Sequence, residues 1–368
     1  MAEISKSLAI SRLTMILKMS GWKVFFFADV HAYLMAVFYI LLVTQTLGYD
    51  LLWKVLALIV SLGVYLIAQF HINDFYDMPT DKMAGRYREV HDMPKIQVVI
   101  LILLVVLLSY AVTLILIGQP LYTLIYTITY LVGLFYSAPP LRFKGRGIYG
   151  IISNILMEKD LPLLLIISFF QYFTVDAMFL LVLFSLWHLE GILTHQYVDY
   201  EVDLKAGVRT FVVEIGSKKT LKILKFLQPI VAVLFILFCL IIMIQMPYSA
   251  VFFIPLALGF FLLKILRRSN LFTTEPGKFG HPRFYVEEEK VGHLRWSLSC
   301  FLGACFEGPF PLFAGMILTL RFPPYMVLLL LLVVSQYYLI RGHYQALFQG
   351  AYLLVKRKLD FSKTTESM

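Results

Sequence analysis

The chain has 368 residues, of which 60% are hydrophobic and only 15% are charged. An ordinary soluble domain is about a quarter charged, so this composition excludes a soluble globular protein and predicts an integral membrane protein. The formal net charge of +9 fits basic loops facing anionic lipid better than a nucleic-acid partner, because the chain is so apolar. Its three cysteines stand in apolar surroundings and predict neither a disulfide framework nor a metal site.

Apolar runs that approach or exceed the length of a bilayer crossing, about 18–20 residues, recur along the whole chain. They predict an all-α, polytopic transmembrane helical bundle. The ninth run is interrupted by Glu307, Pro309 and Pro311. The runs fall near residues 24–46, 51–73, 97–118, 120–137, 148–171, 176–198, 221–246, 248–267, 298–320 and 323–345.

The basic residues lie on alternate loops, which predicts an orientation. With the N-terminus in the cytoplasm, the external loops hold Arg321 and, just inside the second span, Lys54 as their only basic residues. The positive-inside rule therefore places both termini, and the loops after spans two, four and six, in the cytoplasm. The long segment 269–292 carries mixed charge and predicts a lid or a partner surface.

The second span ends in the acidic stretch HINDFYDMPTD at residues 71–81. Asn73, Asp77 and Asp81 are four residues apart, so on a helix they stack on one face, with Asp74 to the side. Charge at this depth is costly, and an ionisable residue in a span is a functional hypothesis by default. Oxygen side chains that share one volume suit a hard cation such as Mg²⁺. The competing interpretation is a helix end whose carboxylates are solvated among the headgroups.

A second acidic stretch, HQYVDYEVDLKAGVRT at residues 195–210, ends the sixth span on the same side. Asp199 and Asp203 are again four residues apart, and Gly207 predicts the helix end before Arg209. Two acidic faces cannot neutralise each other. We therefore expect Mg²⁺ ions and a polyanionic substrate to bridge them.

A third stretch, YSAPPLRFKGRG at residues 136–147, follows the fourth span. Its prolines end the helix, and Arg142, Lys144 and Arg146 suit a diphosphate, although positive-inside topology alone accounts for part of this charge. Loss of a diphosphate from an allylic carbon leaves a cation. Tyr136 and Tyr197 are placed to stabilise that cation through their ring faces.

These three stretches resemble a known family in their order and position. NDFYDMPTD is similar to the NDxxDxxxD motif of the UbiA superfamily of intramembrane prenyltransferases, VDYEVDLKAGVRT to its second DxxxD motif, and YSAPPLRFKGRG to the stretch after its fourth helix. The resemblance covers roughly residues 24–270. It implies a bundle of nine to ten helices with a central cavity that opens to the cytoplasmic side and sideways to lipid.

The resemblance also implies an activity: a Mg²⁺-dependent prenyltransferase that ionises an isoprenyl diphosphate and transfers the prenyl group to an aromatic or lipid acceptor. Residues 1–270 would form the bundle, 271–297 a cytoplasmic loop or lid, and 298–368 additional helices and a polar tail. The implied catalytic residues are Asp77, Asp199, Tyr136 and Tyr197. The implied metal ligands are Asn73, Asp77, Asp81, Asp199 and Asp203. The implied substrate-binding residues are Asp74, Arg86, Arg142, Lys144, Arg146 and Arg209.

The sequence departs from the family in its first and fifth spans. Relatives with aromatic acid acceptors have an Arg-Pro or Lys-Pro pair early in the first helix, whereas this chain has Lys23 with no proline after it. A terpene cyclase on the same scaffold is therefore an alternative, and an ion transporter is a less favoured one because the acidic residues sit at one membrane face.

Several single residues have more than one interpretation. Asp29 and His31 would contact an acceptor or relay a proton, or would pair with Lys159 as internal structural polar groups. Glu158 and Asp160 form an acid/base pair or, more simply, a salt bridge with Lys159. His188 and Glu190 would face the cavity one to two turns before Asp199.

Overall fold

A computed structural model describes residues 29–83, 89–205, 207–249 and 309–336, together with the single residues Phe26 and Val251. Within these ranges the chain is helical, and β structure is limited to one isolated parallel bridge between Gly147 and Thr210. The predicted all-α fold is confirmed. Predicted features at 248–267 and 269–292 and the interruption at Glu307 lie mostly or wholly outside the described residues.

The α-helices are numbered in chain order, and short π-helical and 3₁₀ turns lie beside or between them. The π turns are Thr113–Ile117, which extends α3, and Leu156–Asp160, which joins α5 to α6. The 3₁₀ turns are Glu89–Asp92, Phe143–Gly145, Pro247–Ser249 and Pro323–Tyr325. The helices are α1 Val30–Thr44, α2 Tyr49–Met83, α3 Lys95–Val112, α4 Pro120–Ser137, α5 Ile148–Ile155, α6 Leu161–Phe170, α7 Val175–Val198, α8 Tyr200–Lys205, α9 Phe211–Ile215, α10 Ser217–Gln245, α11 Pro309–Arg321 and α12 Met326–Ser335.

Four of these helices are long and apolar enough to cross a membrane: α2, α3 with its π turn, α7 and α10. Helices α1, α11 and the segment Pro323–Ser335 are apolar but shorter. An integral membrane protein is therefore confirmed. One boundary differs from the prediction, because α2 does not end near residue 73 but continues through the acidic stretch to Met83.

Helix α1 lies at the centre of the bundle. Every residue from Val30 to Leu42 is buried, and α1 packs against α2, α6, α11 and α12. This burial on all sides follows from its composition, since α1 is hydrophobic all round and has no polar face. Helix α3 is peripheral by contrast, and it exposes a row of leucines that suits contact with lipid: Leu103, Leu104, Leu107 and Leu108.

The π turn Leu156–Asp160 interrupts the helical hydrogen bonds between α5 and α6. The Leu161 amide donates to the Leu156 carbonyl, so the Met157 carbonyl loses its usual partner, and the Glu158 carbonyl loses its own because Pro162 has no N–H. The hydroxyl of Tyr65 donates to the Met157 carbonyl at 2.9 Å, and that of Tyr33 donates to the Glu158 carbonyl at 2.8 Å. These bonds satisfy backbone groups that water cannot reach.

The π turn also directs Lys159 towards α1. Its ammonium donates to the carboxylate of Asp29, and both side chains are more than nine-tenths buried. The Lys159 nitrogen lies 5.9 Å from the centre of the Tyr33 ring. Of the two interpretations of Asp29, the structure shows the one in which it pairs with Lys159.

We expect Lys159→Met to destabilise the protein by about 3–5 kcal/mol, because it leaves the Asp29 charge buried without its cation. The double variant Asp29→Leu/Lys159→Met should recover most of this loss. The measurement is thermal unfolding of the purified protein in detergent. Lys54→Met is the matched control, since Lys54 pairs with Asp50 at 2.7 Å on an exposed helix end, where such a pair contributes about 0–1 kcal/mol. Equal destabilisation by the two lysine variants would contradict the prediction.

Candidate functional site

The first acidic stretch is presented by the last turns of α2. Because the helix is continuous from Tyr49 to Met83, Asn73, Asp77 and Asp81 do lie on one face, one turn apart. Asn73 and Asp77 are half-buried and Asp81 is buried. Pro79 is exposed near the helix end, which places the ring away from the packed side of α2.

Lys144 joins the third stretch to this face. Its ammonium donates to Asp77 Oδ1 and, at 3.2 Å, to Asn73 Oδ1. Ser137, at the end of α4, donates to the same Asn73 oxygen at 2.9 Å. Arg142 Nη2 lies 3.9 Å from Asp77 Oδ1. The oxygens of Asn73 and Asp77 therefore converge on one cationic nitrogen.

The pKa of Lys144 reflects its half-buried position within the loop. Burial lowers the pKa of the ammonium, while the carboxylates of Asp77 and Asp81 act in the opposite direction, and the net shift is downward. The charge of Lys144 thus depends on its acidic neighbours. A group of this kind responds when another anion arrives at the site.

The loop that carries Lys144 is held in shape by its own basic residues. Arg142 adopts the left-handed backbone conformation, with φ 39°, and turns the chain after the prolines. The Arg146 guanidinium donates to the Pro140 carbonyl at 2.7 Å. Both arginine side chains remain exposed, so Arg146 braces the loop while Arg142 reaches towards Asp77.

The end of the same loop touches the segment that follows the second acidic stretch. The Gly147 amide donates to the Arg209 carbonyl at 3.4 Å, and Gly147 forms the isolated bridge with Thr210. Thr210 caps α9 by accepting from the Val213 amide at 3.3 Å. The loop between α4 and α5 therefore contacts the first stretch through Lys144 and the region after the second through Gly147.

The second acidic stretch lies across the break between α7 and α8. The Asp199 amide donates to the His195 carbonyl at 3.0 Å, and the Asp203 amide donates to the Asp199 carbonyl at 2.9 Å. This helical pattern keeps the two half-buried carboxylates one turn apart, whereas Glu201 is exposed. Asp199 Oδ2 lies 3.5 Å from His195 Nε2. Gly207, with φ 68°, ends the helix as predicted.

The structure brings together some of the predicted site residues and leaves others apart. Asn73, Asp77, Arg142 and Lys144 form one contact group, to which we give the name anion-facing group. Asp74 and Tyr197 are half-buried on α2 and α7, and the Arg209 side chain is exposed. Arg86 lies outside the described residues. In the described ranges no three His, Cys, Asp or Glu side chains gather in a metal-binding arrangement. Asp77 is bordered by Lys144 and Arg142.

The donors of the first stretch nevertheless fit a hard divalent cation. Asn73 Oδ1 and Asp77 Oδ1 both bind the same nitrogen, so their lone pairs already meet at one cation position. Amide and carboxylate oxygens are the ligands that Mg²⁺ takes in proteins. This fit rests on the first stretch, with Asp199 and Asp203 as a separate pair of carboxylates.

Sequence reasoning missed part of the site. Ser137 donates to Asn73 but is absent from the predicted site residues, which include its neighbour Tyr136. Glu158 does not pair with Lys159. It accepts from Asn154 Nδ2 at 2.9 Å and lies 3.4 Å from His188 Nε2. Glu190 faces α10, where Gln228 donates to it at 3.2 Å. The feature of the sequence that indicated these polar contacts was the unusual number of charged residues in the fifth predicted span.

Residues 33–279 of the chain match the model of the UbiA prenyltransferase family. The fold is similar to a UbiA homolog from Archaeoglobus fulgidus bound to DMAPP and Mg²⁺, with a TM-score of 0.52 and 16% identity over 83% of this chain and 99% of that chain. The same homolog bound to GPP and Mg²⁺ gives 0.51 and 17% over 82% and 98%. A structure of digeranylgeranylglyceryl phosphate synthase in membranes gives 0.51 and 16% over 81% and 98%. A search of curated proteins finds no match.

We expect Gly147→Ala to destabilise the joint between the two loops. A Cβ at this position would overlap the Glu214 carboxylate, and φ is +53°, a left-handed conformation that costs an L-residue about 1–2 kcal/mol. The measurement is thermal unfolding in detergent. Gly145→Ala is the matched control in the same loop, because a Cβ there meets nothing within 4 Å. A loss for Gly147→Ala no larger than for the control would contradict this account.

Proposed function

The chain belongs to the UbiA prenyltransferase family, and on that premise we propose that it is a Mg²⁺-dependent enzyme that ionises an isoprenyl diphosphate and transfers the prenyl group to an aromatic or lipid acceptor. The observation that carries the proposal is the anion-facing group, in which the oxygens of Asn73 and Asp77 converge on the Lys144 ammonium and Arg142 lies 3.9 Å from Asp77. The fold is also similar to that of a homolog bound to DMAPP or GPP with Mg²⁺.

In this proposal each residue of the group has a part in holding the diphosphate. Asn73, Asp77 and Asp81 would hold Mg²⁺ from α2, and Asp199 and Asp203 would hold it from the opposite stretch. The bound cation supplies neutralisation of the negative charge that develops on the leaving oxygen. Lys144 and Arg142 would donate to diphosphate oxygens. For this, the Lys144 ammonium would exchange its bond to Asp77 for one to the substrate.

The remaining predicted residues are given supporting roles. Asp74, Arg146 and Arg209 would bind at the rim, with Arg146 also bracing the loop through Pro140. Tyr136 and Tyr197 stand at the ends of α4 and α7, where an aromatic face beside the reacting carbon would stabilise positive charge. Burial of the reacting carbon among apolar helices excludes water, which would otherwise capture the cation as an alcohol.

A terpene cyclase is the second candidate, and the observation that favours it is in α1. An acidic acceptor needs a cation to bind it, but the Lys159 ammonium beside α1 already pairs with Asp29. Within the described part of α1 the other side chains are apolar, aromatic or neutral apart from His31. A cyclase needs no such cation, since the allylic cation reacts with a double bond of its own chain.

The function is tested by following diphosphate release and organic products separately. We expect purified protein with Mg²⁺ and geranylgeranyl diphosphate to release diphosphate. Asp77→Asn and Asp199→Asn should each lower kcat/KM by at least about 100-fold, because each removes a proposed ligand. Asp50→Asn is the control on the exposed, opposite end of α2. If both variants retain full diphosphate release, the proposed site is wrong.

The products separate the two candidate activities. A cyclic hydrocarbon formed without an added acceptor identifies the cyclase. Donor that is consumed only when a phenolic or lipid acceptor is present identifies the transferase. Gas chromatography with mass spectrometry distinguishes the two outcomes in one experiment.

We also propose that the anion-facing group and both termini face the cytoplasm, which the positive-inside distribution of basic loops supports. Val175 begins α7, and Lys205 ends α8, which follows the other end of α7. The 24 residues of α7 span about 36 Å at 1.5 Å per residue. In a variant whose native cysteines are replaced, Lys205→Cys should react with an impermeant maleimide only after the cell is opened. Val175→Cys should react in intact cells. The reverse pattern would overturn the orientation.

A further inference from the structure

A second polar group lies deeper in the bundle than the anion-facing group. It consists of Asn154 on α5, Glu158 in the π turn and His188 on α7. Asn154 Nδ2 donates to Glu158 Oε1 at 2.9 Å, and His188 Nε2 lies 2.8 Å from Asn154 Oδ1 and 3.4 Å from Glu158 Oε2. We call these three residues the carboxylate triad.

The donors of the carboxylate triad hold Glu158 in one orientation. One oxygen of its carboxylate accepts from Asn154, and the other lies near the nitrogen of His188. A carboxylate has about four lone-pair positions, so this arrangement leaves others available. The Glu158 side chain is 27% exposed between its neighbours Met157 and Lys159, which are buried. There is consequently open space beside the carboxylate.

The π turn directs Glu158 and Lys159 to different partners. Lys159 is directed to Asp29, which immediately precedes α1, while Glu158 is directed to α5 and α7. Two tyrosine hydroxyls hold the backbone of the turn from α1 and α2. The conformation costs regular helical hydrogen bonds, and π turns of this kind occur frequently at functional sites.

Helix α4 connects the carboxylate triad with the anion-facing group, because it packs against both α5 and the π turn. Its last residue, Ser137, donates to Asn73. The end of α4 therefore lies between the two groups. A prenyl chain whose diphosphate is held at Asp77 and Lys144 would extend past Tyr136 towards Glu158.

We propose that Glu158, held by Asn154 and His188, is the proton acceptor of the reaction. The inference rests on the proposed function. Both candidate activities must release a proton: the bond from carbon to the diphosphate oxygen breaks with its electron pair on the diphosphate, and an acceptor or a double bond of the same chain supplies the pair for the new bond. The surplus hydrogen then leaves as a proton to a Glu158 oxygen, and its bonding pair closes the neutral product. The ligand class is a hydroxylated aromatic acceptor or the cyclised cation itself.

The experiment measures what happens to the carbon skeleton for each diphosphate released. The full chain in nanodiscs receives Mg²⁺ and geranylgeranyl diphosphate, in one arm alone and in the other with hydroquinone as a phenolic probe. Prenyl alcohol reports capture of the cation by water. Hydrocarbon or prenylated phenol reports loss of a proton to the protein. Size-exclusion chromatography of each variant checks its fold.

We expect Glu158→Gln to release diphosphate within about threefold of the wild type while the proton-loss product falls by about 100-fold and prenyl alcohol rises. Glu158→Asp keeps the carboxylate and should restore part of the product. Asp160→Asn is the matched control, because Asp160 lies in the same π turn but accepts from Ser185 at 2.6 Å. If Glu158→Gln does not fold, the test rests on Glu158→Asp. The proposal then requires that the amount of proton-loss product fall by at least about tenfold relative to the wild type.

Two results would overturn the proposal. One is a ratio of proton-loss product to alcohol that is the same in the Glu158 variants and the wild type. The other is wild-type protein that yields prenyl alcohol alone in both arms. Failure of the underlying function looks different, since Asp77→Asn would then leave diphosphate release intact. The two arms also identify the source of the proton, because only a transferase needs the hydroquinone.

Discussion

The structure depends on one constraint: the interior of a membrane bundle has no water to satisfy a polar group. The chain places polar side chains at that depth, and several of them are met by a partner from another helix. The π turn between α5 and α6 is the clearest case. It frees two backbone carbonyls, and the hydroxyls of Tyr65 and Tyr33 reach them from α2 and α1. The same turn aims Lys159 at Asp29 and Glu158 at His188, so three helices are held around it.

The anion-facing group follows the same logic at the end of the bundle. Asn73 and Asp77 sit on a helix that continues beyond its apolar run, and Lys144 arrives from a loop after a different helix. The Arg146 guanidinium donates to the Pro140 carbonyl within the loop, and the Gly147 amide donates to the Arg209 carbonyl outside it. These bonds matter for the proposed function, because a diphosphate is recognised by charges that are already in position. The second acidic stretch is tied to this loop through the backbone of residues 209–210, although its carboxylates form a separate pair.

Two polar groups joined by one helix end suggest a division of labour along the substrate. The anion-facing group suits the departing diphosphate, which needs cations around it. The carboxylate triad suits a later step at the carbon skeleton, which needs a proton acceptor and little water. Helix α4 joins them, since it packs against α5 and the π turn and ends at Ser137, which donates to Asn73. In this proposal the cations at the diphosphate and the carboxylate of Glu158 act at different points along the substrate.

The sequence by itself determined the fold class, the membrane location and the family, since long apolar runs require helices in lipid and three spaced motifs are specific. It also determined the helical stacking of Asn73, Asp77 and Asp81, because that depends only on the period of the helix. Only the tertiary structure decided which charges pair. Lys144 with Asp77, Lys159 with Asp29 and Glu158 with His188 join residues 67, 130 and 30 positions apart. Local spacing favoured Glu158 with its neighbour Lys159, but adjacent residues on a helix point to different sides, and the packing of α1 and α7 selected the partners.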